Sequence, residues 1–193
     1  SAIETSDILF AQSKQIEVHG DYALITCGNG FFVVYLGDLP NSVSVIQEMV
    51  VDMDGDGLPN DVNGLAINQA GTVVYIATDD VGGSLIISYE FNGATGRVGP
   101  ILDVLDTPEF EGTTTRMSLY EPLERLYIPG RQGTLTEIDI SDPTHLRLRS
   151  IWNDGYTGEM QDVRPYHFPG HGDLLLVSKN NEGFSILRPD PAP

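Results

Sequence analysis

Cysteine is almost absent from this chain of 193 residues, and the single one, Cys27, allows neither an internal disulfide nor a cysteine-built zinc site. Small disulfide scaffolds and zinc modules are therefore excluded. With no His or Lys beside it, Cys27 reads as a small buried hydrophobe rather than a reactive thiol. Positive charge is scarce too: Lys and Arg total 10 against 28 Asp and Glu, a net charge of −18. A surface that negative repels nucleic-acid backbones and anionic lipid, so no nucleic acid and no acidic membrane is expected as a partner. The longest apolar run, Phe31 to Leu36, is far shorter than the roughly 20 residues a membrane-crossing helix needs, and no membrane insertion is expected. Gly-x-Ser-x-Gly, His-Glu-x-x-His and phosphate-cradling Gly-Lys-Ser/Thr patterns are missing, and no catalytic residue is assigned. No long segment has a period of 3.6, which leaves little room for helix.

What the chain does have is a repeat. A strand-type phrase occurs at Tyr22 to Cys27, Val73 to Thr78, Arg125 to Gly130 and Leu174 to Lys179, with first residues 51, 52 and 49 apart. A second phrase, opened by Gly30, Gly83, Gly133 and Gly183, follows each copy. An extended segment precedes each one: Gln15 to His19, Gly64 to Asn68, Arg116 to Tyr120 and Asp162 to His167. Tight breakers such as Gly20-Asp21 and Ala70-Gly71 separate it from the next strand, as hairpins require. Fourth strands are expected at Val43 to Met49, Val98 to Leu105 and Leu146 to Trp152. Each unit is a four-stranded meander of propeller-blade size. The expected fold is all-β: one domain over residues 1–193, with blades at about 13–50, 63–105, 115–154 and 162–188.

The last unit runs into Pro189, Pro191 and Pro193, which removes amide donors where its outer strand should pair. Asp7 to Ala11 is a strand without a unit of its own. This N-terminal strand could close a four-bladed ring through the last blade; the alternatives are an arc of a larger propeller or a ring completed by a second chain.

The segment Val18 to Val34 resembles the LVIVD-repeat propellers of bacterial and archaeal surface proteins, and Gly133 to Pro143, which ends in a Ser-Asp-Pro turn, resembles the end of the same repeat. The second unit, Asn63 to Ala77, is similar to YVTN-type propellers. Both resemblances imply blades and carry no reaction with them.

The sharpest chemical motif is the acidic stretch from Asp52 to Asn63 between the first two units. Calcium takes six to eight oxygens, and alternate residues of a tight loop can point at it. Asp52, Asp54 and Asp56 stand at loop positions 1, 3 and 5, Gly57 at the turn, the Leu58 carbonyl at 7, and Asn60 and Asn63 at 9 and 12. The spacing resembles thrombospondin type 3 and dockerin calcium loops, and departs from an EF-hand because Asn63 replaces the bidentate glutamate; Asp61 is a compensating candidate. The expected cofactor is a structural calcium.

In a propeller the loops from strand four to strand one share a face with those from strand two to strand three. That places Arg116, Arg131, Arg164 and Lys179 at one channel mouth, either as a pocket for an anionic group or as ion pairs with Asp79, Asp80, Glu109, Glu111 and Asp162. Ion pairing is the favoured reading. The acidic, Lys-poor, Thr/Asn/Gly-rich composition leans towards an extracellular, periplasmic or cell-surface location, and no targeting segment is expected within the sequence, which opens at Ser1. The function expected is a non-catalytic interaction or structural module for a protein or cell-surface partner. The alternative is a lactonase-like propeller hydrolase, for which Glu159, Asp162 and His167 form the one dense cluster.

Overall fold

The structure, a computed structural model, describes residues 13–52, 61–79, 84–107, 116–153 and 155–189. The chain folds into consecutive antiparallel meanders. The first is β1 (Ile16–His19), β2 (Tyr22–Thr26), β3 (Gly30–Tyr35) and β4 (Ser44–Val50); the second is β5 (Asp61–Ile67), β6 (Val73–Asp79), β7 (Ser84–Asn92) and β8 (Arg97–Thr107). The third is β9 (Ser118–Tyr120), β10 (Arg125–Pro129), β11 (Thr134–Asp139) and β12 (Arg147–Asn153), and the fourth is β13 (Met160–Phe168), β14 (Gly172–Lys179) and β15 (Gly183–Leu187). This is a β-propeller of four blades. Among the described residues the only helical turns are 3₁₀, at Glu121–Leu123 and Arg131–Gly133, and no helix is long and apolar enough to cross a membrane.

Local chemistry explains the meanders. His19 pairs with Tyr22, so Gly20-Asp21 is a two-residue hairpin loop, and Gly20 takes the positive φ of 56° that such a loop demands. Alternation then sends successive side chains to opposite faces of each blade. Leu24 of β2 faces the second blade, where it joins Phe31 and Val33 in a cluster with Leu65, Ile76 and Ile87. Tyr75, Ala77 and Ile86 on the far face of the second blade pack on Met117, Leu126 and Ile128 of the third. Tyr127 and Leu135 continue the series against Val163, Leu175 and Val177 of the fourth. Among the described residues, no such cluster joins the fourth blade to the first.

The first strands line a channel, where a cavity of about 340 Å³ takes residues from the first strand of each blade, among them Glu17, Ala66, Ser118 and Arg164. Gln15 pins three blades together at its wall. Its Oε1 accepts from the backbone N–H groups of Leu65 (3.1 Å) and Met117 (3.0 Å), and its Nε2 donates to the Met117 carbonyl (3.0 Å) and Glu17 Oε1 (2.8 Å). Every hydrogen-bonding valence of the buried amide is used.

Two expectations need correction. The glycines opening the second phrase are not equivalent, because Gly30 and Gly183 start strands whereas Gly133 lies one residue earlier, at φ 70° in a 3₁₀ turn. A Cβ there would sit 2.0 Å from the Tyr156 carbonyl oxygen, so the position is reserved for glycine by contact as well as by backbone. The first strand of the second blade begins at Asp61 rather than Gly64, which puts Asp61 and Asn63 inside a strand. The closing strand expected at Asp7 to Ala11 lies outside the described residues, and among those described β15 is the outermost strand of its blade.

The core analysis has a direct check. Leu65→Ala removes a side chain with 0 % exposure and should cost roughly 2–5 kcal/mol in chemical denaturation. Ile101→Ala, on the exposed side of β8 at 43 %, should cost about 1 kcal/mol or less. Similar losses at both positions would contradict the packing described.

Candidate functional site at the channel mouth

Three segments converge at the end of the channel between the third and fourth blades. Met160 N–H donates to the Gly130 carbonyl (3.2 Å), Gly133 N–H to the Gly158 carbonyl (2.7 Å), and Asn180 N–H to the Glu159 carbonyl (3.1 Å). Loops from strand four to strand one and from strand two to strand three thus share this face, as the repeat implies.

The four cations are divided into two groups. Asp162 Oδ2 lies 3.1 Å from Arg164 Nε and 4.0 Å from Arg116 Nη1, so one carboxylate serves an arginine from each side of the blade 3–blade 4 seam. Arg131 Nε stands 3.9 Å from Glu159 Oε1, and Lys179 Nζ lies 5.2 Å from the Tyr156 ring centroid. Asp162 is among the anticipated partners, whereas Glu159 is not; Asp80, Glu109 and Glu111, and the side chain of Asp79, lie outside the described residues. The arginine side chains are 49–60 % exposed, so each pair contributes little individually, ~0–1 kcal/mol, and acts mainly to hold the loops in place.

The candidate trio of Glu159, Asp162 and His167 is not brought together. Asp162 and His167 are five residues apart on one regular stretch of β13, which separates them by about 17 Å and turns them to opposite faces. His167 Nδ1 instead lies 2.8 Å from Asp173 Oδ1, which also accepts from Tyr120 Oη at 2.6 Å. The Tyr120 and His167 bonds hold the Asp173 carboxyl below its ordinary range, and burial, with the Asp173 contact second, pushes the Tyr120 phenol up to about 12.

Of the acidic stretch, Asp54, Asp56, Leu58 and Asn60 lie outside the described residues. Asn63 is 0 % exposed in β5, and its Oδ1 accepts from Lys14 Nζ, which also pairs with Asp61 Oδ2 at 3.1 Å. Calcium coordination by Asn63 therefore requires displacement of an ammonium group. The carboxylate suggested as a substitute is taken by the same lysine. Cys27 is half-buried, and burial together with Glu48 pushes its thiol up to about 11, so it stays protonated.

Sequence reasoning missed Lys14 and a buried charge network in the third blade. Arg125 (4 % exposed) lies 3.4 Å from Glu137 (6 % exposed) and 3.1 Å from Asp139, and Arg149 Nε lies 3.4 Å from the same Glu137 oxygen. Ser150 Oγ donates to the other Glu137 oxygen at 2.9 Å. The available signal was the strand register, which sets Arg125 opposite Asp139 and Glu137 opposite Ser150. Nothing in one-dimensional sequence says that these charges are buried.

The sequence model of the LVIVD repeat matches residues 12–38 and 125–154, covering strands of the first and third blades but less than half of the chain. No curated protein sequence matches the chain. Solved structures with the same fold include Sqt1 of Saccharomyces cerevisiae (TM-score 0.63, 12% identity, 91% of this chain and 44% of that one). The β-propeller domain of Cps50 from Myceliophteria thermophila is similar at a TM-score of 0.54 and 13% identity, over 92% of this chain and 60% of that one. The extracellular domain of a one-component system from B. thetaiotaomicron is similar at a TM-score of 0.61 and 15% identity, over 100% of this chain and 23% of that one. The chain spans less than two thirds of each of these structures. Repeat match and architecture together define a β-propeller repeat protein.

The hydrogen-bonded carboxylate predicts a pH signature. Because the folded Asp173 value is depressed, its stabilisation is present above the ordinary carboxylate pKa of about 3.9 and is lost as pH falls through the lower folded value. Asp173→Asn should be less stable than wild type at pH 7, with the difference shrinking in urea melts carried into strong acid. A difference that stays constant across that range would show that the carboxylate charge is not what matters.

Proposed function

We propose that the protein is a secreted or cell-surface propeller that acts as a non-catalytic interaction module, its first inter-blade loop held by calcium. The observation that carries this reading is the use made of charge at the mouth. Asp162 is occupied by Arg116 and Arg164, and Glu159 stands by Arg131, so the ionisable groups brace loops across a seam between blades. A braced rim of loops on a rigid sheet scaffold is suited to recognising another macromolecule. The surface location is supported by the LVIVD match and by the acidic composition, and the partner is a protein or cell-surface component that tolerates a net charge of −18. The lactonase-like alternative lacks support in the geometry, since it needs Asp162 and His167 on one side of β13.

Calcium is proposed from the donor chemistry of the loop. Asp52, Asp54, Asp56, the Leu58 carbonyl and Asn60 supply hard oxygens at alternating positions. Asn63 contributes only if Lys14 gives way. Such an ion would stiffen the link between the first and second blades.

Metal analysis and thermal melts test both parts. One calcium per chain should be retained, and saturating calcium at about 100 times its Kd should stabilise the fold by about 2.7 kcal/mol. Asp54→Ala should abolish that increment and leave the metal-free melt unchanged. If chelator does not alter the wild-type melt, the loop is an ordinary turn. Lactone hydrolysis that depends on Asp162 or His167 would replace the module reading with the hydrolase.

A further inference from the structure

The seam between the first two blades carries a second concave surface, at the end of the strands opposite the braced rim. A cavity of about 540 Å³ lies there, lined by His19 of the first blade and by Thr72, Glu90, Asn92 and Ala94 of the second. Its first-blade wall is fixed by rings seated on glycine. A Cβ at Gly71 would lie 2.2 Å from His19 Nε2, one at Gly93 2.7 Å from the same atom, and one at Gly96 2.3 Å from the Tyr22 ring. Rings of the first blade therefore rest directly on the backbone of the second. His19 also makes a T-shaped contact with Phe91, at 6.3 Å between centroids. Tyr22 Oη donates to the Ala94 carbonyl (3.2 Å), which joins the cavity to the half-buried ring of Tyr35, 5.5 Å from Tyr22 between centroids.

Carboxylates surround this strip. Glu90 stands in the cavity wall, and Asp21 and Asp38 lie on exposed loops beside the tyrosines. The charge of Asp38 first, then desolvation and the charge of Asp21, push the Tyr35 phenol above its ordinary value, so both carboxylates are within electrostatic reach of that ring. Among the described residues no cation pairs with Asp21, Asp38 or Glu90, whereas Asp61, Asp162, Glu137 and Glu159 each have one. Arg97, the neighbouring cation, is turned onto the Ile46 carbonyl (2.9 Å). Aromatic rings beside carboxylates without a cation are the surroundings that a guanidinium or ammonium group favours, because the ring face attracts the charge and the carboxylate accepts its hydrogen bonds.

We propose that this seam docks a basic segment of the partner protein, with one Arg or Lys side chain entering the cavity beside Glu90 and another lying on Tyr35 between Asp21 and Asp38. The inference rests on the reading of the protein as an interaction module and names the chemistry of its partner. A net charge of −18 draws such a segment in, and the rings and the cavity select where it sits. All the residues involved belong to the first two blades, so the site does not depend on what covers the other faces of the chain.

Fluorescence anisotropy with a short labelled peptide of alternating Gly and Arg, and with its Gly-Glu counterpart, tests this at about 150 mM salt. The Arg peptide should bind the wild-type chain and the Glu peptide should not. Tyr35→Ala and Glu90→Gln should each weaken binding about 10-fold. Tyr35→Phe, which keeps the ring, and Glu182→Gln, which removes an exposed charge from the fourth blade, should bind as wild type does. Tyr35 and Glu90 lie outside the core clusters, so the variants should fold, which a melt would check; Glu90→Gln alone decides the matter if Tyr35→Ala is unstable. Failure of the Arg peptide to bind, or equal weakening by Glu90→Gln and Glu182→Gln, would overturn the site, the second because net charge alone would then explain the attraction. Spermidine that binds as tightly as the peptide would replace the protein segment with a small cation. These outcomes leave the module reading standing, which fails instead on lactone hydrolysis.

Discussion

A four-stranded sheet with apolar side chains on both faces cannot be satisfied by burying one of them, and this constraint organises the whole molecule. Alternation along β2 sends Leu24 one way and Ala23 and Ile25 the other, so a blade buries both of its faces only between two neighbours. The three clusters are the solution within the chain, each made by the following side of one blade and the preceding side of the next. Hydrophobic burial has no direction, and something else has to set how the blades meet. Gln15 does so at the channel wall: one side-chain amide binds the backbones of the second and third blades, where water would otherwise have to satisfy the same groups.

The same economy governs charge. In a protein with 28 acidic and 10 basic side chains, the few cations are committed at seams: Lys14 at Asp61 and Asn63 near the first and second blades, Arg116 and Arg164 at Asp162 between the third and fourth. Arg125 and Arg149 are placed differently, flanking the buried Glu137. There the arrangement is strict, because a buried charge that loses its partner costs far more than an exposed one. The functional proposal rests on this contrast between a rigid interior and a rim of loops held by weak exposed pairs.

The candidate site was partly legible in sequence. The shared face of the Arg131, Glu159 and Lys179 segments follows from a period of about 50 residues, since equivalent loops of successive blades must fall on the same side. Glu159, Asp162 and His167, which the lactonase-like alternative needs as one cluster, are close in sequence but not in space. A strand keeps neighbours in line but alternates their faces, and the partner of His167 turned out to be Asp173 across the hairpin. Lys14 could not have been foreseen, since its partners lie 47 and 49 residues away and only the seating of the first blade on the second unites them.

By itself the sequence determined the blades: where strands run, where glycine-bearing hairpins turn them, and that four meanders follow one another, because side-chain alternation and turn chemistry act over a few residues. It also determined the acidic loop's supply of oxygen donors and the net charge. Only the tertiary structure decided which faces are covered. Phe31 and Phe184 stand at the same position of the same repeat, one at 0 % and the other at 69 % exposure. Among the described residues the difference arises from whether a blade has a neighbour on that side, a property of tertiary packing that no local stretch of chain contains.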